Sequence, residues 1–209
     1  MKIDKEKETS ETWNKIADLY QEKFMDLDLY NLTYDYFCNT IPNQNTSILD
    51  IGCGPGNITK YLLSKNPGYK ITGIDYAPNM VELAKQNNPK ANFQVLDSRN
   101  ISSLKQKFDG IICGFCIPYL TASETQQFIS DCADLLSQNG MLYLSFVEGN
   151  PEDSGFKTGS NGNRVYFNYY DLNSLKSNLS ENKFNTLKIF KVDYTPSEIH
   201  TVIIAQKQL

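Results

Sequence analysis

Apolar positions along the chain alternate between two spacings. Over residues 9–40, Trp13, Ile16, Ala17 and Tyr20 recur at i, i+3, i+4 and i+7, which is one face of a helix. A second helical run begins near Leu29, and Pro42 stops it. Residues 47–51 (SILDI) then read as a short buried strand, followed at once by glycines and a helical run over 58–63. Residues 69–75 are strand again, and Pro78 opens a helix whose Met80, Leu83 and Ala84 share a face. Proline suits that first position because its missing N–H would have no partner there. Further strands follow at 92–96, 108–113 and 141–147. A helix carrying Phe128, Ile129, Cys132, Leu135 and Leu136 lies between the last two. Ser123 and Gln126 have capping-box spacing at its start, and Asn139-Gly140 marks its end.

A stretch rich in Gly, Asn and Ser covers 148–163 and reads as a mobile flap or disorder. Asp171 caps a helix to about Leu179. Two closing strands, 185–194 and 199–206, are joined by a turn at Thr195, Pro196 and Ser197. Strands alternating with helices predict a parallel sheet, whereas so tight a final turn joins antiparallel neighbours. The expected fold is α/β: a doubly wound, mostly parallel seven-stranded sheet with helices on both faces and a reversed last strand in a C-terminal β-hairpin. Ligands of such sheets bind outside the carboxyl ends of the strands.

The 209 residues fit one domain, 1–209, and 40% apolar content is enough to fill its core. With 24 acidic against 20 basic residues and no Lys/Arg cluster, the chain lacks the basic face that a phosphate backbone requires, so no nucleic-acid partner is expected. The polar start has no apolar signal region, and no run approaches the ~18–20 apolar residues of a spanning helix. Five cysteines without framework spacing suit reduced thiols, so the expected location is cytoplasmic, away from membranes. A lone histidine excludes a multi-histidine metal site, and no metal is expected.

The sharpest local signal is Asp50-Ile51-Gly52-Cys53-Gly54-Pro55-Gly56, where a buried strand runs into three glycines and then a helix. Glycine serves where the chain turns at positive φ or where a ligand presses on bare backbone. A dinucleotide fingerprint, G-x-G-x-x-G, would need glycine at 57, but Asn57 stands there and the third glycine is Gly56. That spacing opposes a nicotinamide oxidoreductase. An acid followed by G-x-G-x-G resembles the first motif of the class I S-adenosylmethionine (SAM)-dependent methyltransferases, and the resemblance extends over nearly the whole chain.

The resemblance implies roles for residues at successive strand ends. Asp50, Gly52, Gly54 and Gly56 would form the cofactor loop. Asp75, 25 residues beyond Asp50, would bind the ribose hydroxyls, since a carboxylate can accept from both. Tyr76 would lie against the adenine, with Met80 on the helix that follows. Asp97 and Ser98 would face the adenine amino group. Gly114 and Phe115 would meet the methionine part, and Tyr20 would cover it, although an aromatic at that spacing equally suits plain core. Taken singly, each acid can be a helix cap; three in register with one motif are far more specific. In these terms 1–42 is a helical cap, 47–147 the SAM-binding core and 148–209 the substrate side.

Methyl transfer from a sulfonium is an in-line displacement in which the protein supplies alignment and a dry site. The expected cofactor is SAM, with S-adenosylhomocysteine as product, and the expected acceptor is a small molecule. After the fourth strand the (N/D/S)-P-P-(Y/F) motif of amino-methylating enzymes is missing, and so is a Pro-Cys nucleophile. Cys113-x-x-Cys116 has no second pair and reads as inert thiols. Candidate acceptor contacts are Tyr119, Arg164, Tyr166 and Tyr169, for which half-buried strand packing is an equal alternative. His200, beginning the backward strand, can act as a base near neutral pH or be structural. A protein or nucleic-acid methyltransferase and a non-catalytic SAM-binding module stay open as alternatives.

Overall fold

A computed structural model describes residues 4–42, 45–159, 162–196 and 198–208. The N-terminal run divides into three helices: α1 (Lys5–Lys15), α2 (Ala17–Phe24) and α3 (Asn31–Thr40). Asp4 caps α1 by accepting from the Lys7 N–H at 3.1 Å. The break falls at Ile16, whose φ of −100° and ψ of 17° leave the helical region.

The main sheet is built from β1 (Ser47–Ile51), β2 (Lys70–Asp75), β3 (Asn92–Val95), β4 (Phe108–Cys113) and β5 (Leu136–Val147), with two later strands. Helices α4 (Asn57–Lys65), α5 (Pro78–Asn87) and α6 (Ala122–Leu135) connect them, with a 3-10 stretch over Ser98–Ser103 in place of a helix after β3. A short pair, β6 (Gly155–Thr158) and β7 (Arg164–Phe167), precedes α7 (Leu172–Glu181); β8 (Phe184–Thr195) and β9 (Glu198–Lys207) close the chain. The seven strands are ordered β3-β2-β1-β4-β5-β9-β8, all parallel except β9. Ser197 of the expected final turn lies outside the described residues.

Period-2 alternation separates two cores. Ile111 and Cys113 face the layer with Phe128 and Ile129 of α6 and Leu175 and Leu179 of α7. Ile112 faces Phe37 of α3 and Ile58 and Leu62 of α4. Strand order reverses at β1, between β2 and β4, which opens a crevice at the carboxyl edge.

Three local expectations need correction. The capping box is Thr121 with Glu124, not Ser123 with Gln126: Thr121 accepts from the Glu124 N–H and Glu124 takes the Thr121 N–H at 2.6 Å. A carboxylate accepts more strongly than an amide, so the charged pair sets the helix start. Helix α6 ends at Leu135, before Asn139-Gly140; Asn139, at φ +59°, lies inside β5. Finally, 148–163 was expected to be a mobile flap or disorder, and its described residues contain regular structure. Residues 151–153 form a 3-10 turn, and β6 pairs antiparallel with β7 from Gly155↔Phe167 to Thr158↔Arg164.

Candidate functional site

The glycine loop leaves β1 through three left-handed positions, Gly52 (φ +67°), Gly54 (+53°) and Gly56 (+84°). Only glycine takes such angles without strain. A Cβ on Gly56 would meet Asn88 Nδ2 at 2.4 Å and Ala84 Cα at 3.3 Å, so this glycine seats α4 against α5. A Cβ on Gly54 would point at the Tyr20 ring, 3.6 Å away, across the crevice.

The three acids differ in placement. Asp75 ends β2 and ties the loop down: one oxygen accepts the Gly54 N–H at 2.9 Å and the other the Ala77 N–H at 2.9 Å. Burial pushes its carboxyl up to about 6 against those hydrogen bonds. Asp50 is fully buried behind the loop, away from the cleft lining. Thr59 donates to one oxygen at 2.7 Å, while the other has no partner among the described residues. Burial pushes Asp50 up to about 7. Asp97 accepts from the Arg99 N–H at 2.9 Å and pairs with its guanidinium at 3.2 Å, which also holds Glu124 and the Tyr119 carbonyl.

A cleft of about 590 Å³, mouth included, lies over the β1–β4 switch point, within the ~300–1,000 Å³ common for small-molecule sites. It brings together Tyr20, Gly52, Gly54, Asp75, Tyr76 and Met80. Ser98, Gly114 and Phe115 complete its far wall. The Phe115 backbone is left-handed at φ +54°, and its N–H donates to Ser145 Oγ at 2.9 Å. Asp97 and Gly56 lie outside this lining. Trp13, Leu96 and Cys116 also line the cleft and were not among the expected cofactor contacts; Cys116 was read as an inert thiol. Trp13 had a visible signal, since it shares a helical face with Tyr20.

A second cleft of about 700 Å³ shares Tyr76, Ser98, Cys116 and Tyr119 with the first and takes in Asp97 and Tyr166. Arg164 instead pairs with Glu8 and stacks over Phe156, and Tyr169 packs against Phe167. His200 is buried outside both clefts. Its Nδ1 meets the Tyr30 hydroxyl at 2.5 Å and its Nε2 meets Glu198 at 2.7 Å. With both nitrogens engaged, it has no free lone pair facing a ligand. Burial lowers its pKa, opposed by Glu198.

Residues 48–140 match a family model described as a methyltransferase domain. The chain is 28% identical over 147 residues to a ubiquinone biosynthesis O-methyltransferase of Coxiella burnetii, covering 65% of this chain and 61% of that protein. A SAM-dependent methyltransferase structure from Methanosarcina mazei superposes with a TM-score of 0.72 at 24% identity, covering 88% of this chain and all of that one. Magnesium protoporphyrin IX methyltransferase from Synechocystis PCC 6803, solved with bound SAM, gives 0.67 at 18%, covering 85% and 77%. The chain spans about three-fifths of the length of the curated relatives it matches (61%).

The lining of the first cleft fits SAM on its own chemistry. Asp75 offers acceptor capacity to a diol, Tyr76 Oη is buried without a partner among the described residues, and Leu96, Met80 and Phe115 give apolar walls. Among the described residues no Lys or Arg side chain lines it. An acid without a facing cation suits a sulfonium ligand and opposes the two charges of a pyrophosphate.

Proposed function

We propose that the protein is a SAM-dependent methyltransferase that methylates a small-molecule acceptor by in-line displacement and releases S-adenosylhomocysteine. The observation that carries this reading is a glycine-floored cleft, lined by no Lys or Arg side chain among the described residues, with Asp75 at its edge. When bound, SAM supplies a methyl group made electrophilic by its sulfonium.

In this reading Asp75 holds the ribose, and Tyr76, Met80, Leu96 and Ser98 enclose the adenine side. Gly52, Gly54, Gly114 and Phe115 present close backbone to the methionine side, with Tyr20 above. Asp50 and Gly56 act from behind, shaping the loop. Asp97, already neutralised by Arg99, closes the adenine end. Tyr119 and Tyr166 stand beside Asp97 and Ser98, so they belong with the adenosine end. The acceptor then approaches over β4 and β5, where Phe115 packs on Tyr30 and His200 at 5.3 and 4.7 Å between ring centroids. The Coxiella relative and the Synechocystis neighbour are named for small-molecule chemistry, which supports an acceptor of that class.

Thermal unfolding with SAM, S-adenosylhomocysteine, NAD and ATP tests the cofactor. A ligand at ~100 times its Kd stabilises by about 2.7 kcal/mol, hence a rise on the order of 5–10 °C. The expected shift occurs with the two adenosyl-sulfur ligands alone. A shift with NAD in their place refutes the reading.

A further inference from the structure

Trp13 is the chain's single tryptophan. It lies near the end of α1, its ring edge-on to Tyr20 and Tyr119 with centroids 5.5 Å from each. All three line the cleft. Trp13 Nε1 is buried, yet it has no hydrogen-bond partner among the described residues. Indole nitrogen can only donate, and a buried donor left unpaired bears its full desolvation penalty. A ligand acceptor in the cleft would remove that penalty.

The ring is held in place from both sides. Thr12 Oγ1 donates to the Arg164 carbonyl at 2.8 Å, the Tyr166 N–H donates to Thr9 Oγ1 at 2.9 Å, and Glu8 pairs with Arg164, so α1 is clamped to β7. Opposite, the Asn79 N–H donates to Asn14 Oδ1 at 2.8 Å and its side-chain amide to the Asn14 carbonyl at 2.9 Å, tying α1 to the first turn of α5. None of these bonds is made by Trp13 itself, whose own donor stays unpartnered among the described residues on a helix fixed at both sides. A donor ordered before binding costs a ligand little to engage.

Its surroundings indicate which part of a ligand it meets. Trp13 packs with Ala17, Ala77 and Met80. Ala77 follows Asp75 by two residues and donates its N–H to that carboxylate. The Trp13 ring therefore packs beside the turn that follows Asp75.

We propose that Trp13 Nε1 donates a hydrogen bond to a ribose oxygen of the bound cofactor, which makes α1 part of the binding site as well as its cover. The inference rests on the SAM reading above and adds a donor opposite the Asp75 acceptor.

Titration calorimetry on the full chain tests it with two ligands, S-adenosylhomocysteine and 5′-methylthioadenosine, which keeps the adenosine half and lacks the amino-acid half. Trp13→Phe keeps an aromatic ring and loses the donor. A second protein carries 3-benzothienylalanine, fed to a tryptophan auxotroph; with one tryptophan in the chain it enters only at position 13, replacing N–H by sulfur with the shape kept. The second protein decides the question if the first fails to fold. Each variant is expected to bind both ligands about tenfold more weakly than wild type, by the same factor, as the loss of one hydrogen bond predicts. A loss confined to S-adenosylhomocysteine would put the partner in the amino-acid half and overturn the assignment. Undiminished affinity for both would overturn it as well. Wild-type protein that binds neither ligand refutes the cofactor reading itself, and this inference falls with it.

Discussion

Asp50→Asn separates two consequences of burying a carboxyl behind the glycine loop. Asp50 is fully buried; Thr59 donates to one oxygen at 2.7 Å, and the other has no partner among the described residues. Burial pushes the group up to about 7 from an ordinary value of 3.8, against the Thr59 bond and with help from the Asp75 charge. The raised value sets the sign. Between pH 4 and 7 the native state keeps a proton that the unfolded chain has lost, so stability falls as pH rises, by up to ~1.4 kcal/mol per unit. Over roughly three units that amounts to about 4 kcal/mol. Asparagine cannot titrate, so this loss disappears. It also puts an NH₂ group at the unpartnered position, a pH-independent cost of about 1–3 kcal/mol. The variant is therefore expected to melt below wild type near pH 4 and to overtake it by pH 8. The total swing in the difference is on the order of 10 °C at ~2–4 °C per kcal/mol. Asp75 titrates in both proteins and largely cancels in the difference. Melting curves of the two ligand-free proteins at several pH values suffice. A difference flat across pH would show that Asp50 ionises like an ordinary carboxylate, and the buried-acid account would be wrong.

Gly54→Val puts a branched side chain at φ +53° facing Tyr20; it should abolish calorimetric SAM binding, and unchanged affinity would dismiss this loop as the floor of the site. His200 is the single histidine, so its ring proton gives one unambiguous NMR titration. Its midpoint should lie below 6.5 and move lower still in Glu198→Gln, which removes the partner that opposes burial. The stability held by the neutral ring is present above 6.5 and is lost as pH falls through that lowered midpoint. A midpoint unmoved by Glu198→Gln would refute the pairing.

Strands β1 and β4 were legible to the residue because buried parallel strands are continuous apolar runs bounded by turn residues, as in SILDI and FDGIIC. The placement of the acids and glycines near strand ends was legible because a local window contains both the strand and its stop. What the windows missed depends on partners distant in sequence. Strand β7 is fixed by Thr9 and Thr12, more than 150 positions earlier, so 148–163 looked structureless on its own. The break at Ile16 involves neither Gly nor Pro, the residues that normally mark one. His200 looked available in sequence and is enclosed in space by Tyr30 and Glu198.

Asp50, Asp75 and Asp97 look equivalent in the sequence, each an acid at the end of a strand, and their surroundings make them three different groups. Asp97 is compensated by Arg99, so its charge is largely spent before any ligand arrives. Asp50 is held near its neutral form by burial and reaches no ligand directly. Asp75 alone of the three both lines the first cleft and has its two oxygens aligned by backbone N–H groups, which favour its ionised form against the burial that opposes it. A cationic ligand in that cleft would tip the same balance toward the carboxylate, because a positive charge within a few ångströms offsets what burial costs. In the proposed reading, the charge complementarity of the cleft to a sulfonium therefore comes chiefly from Asp75. The other two acids lie outside the lining of that cleft.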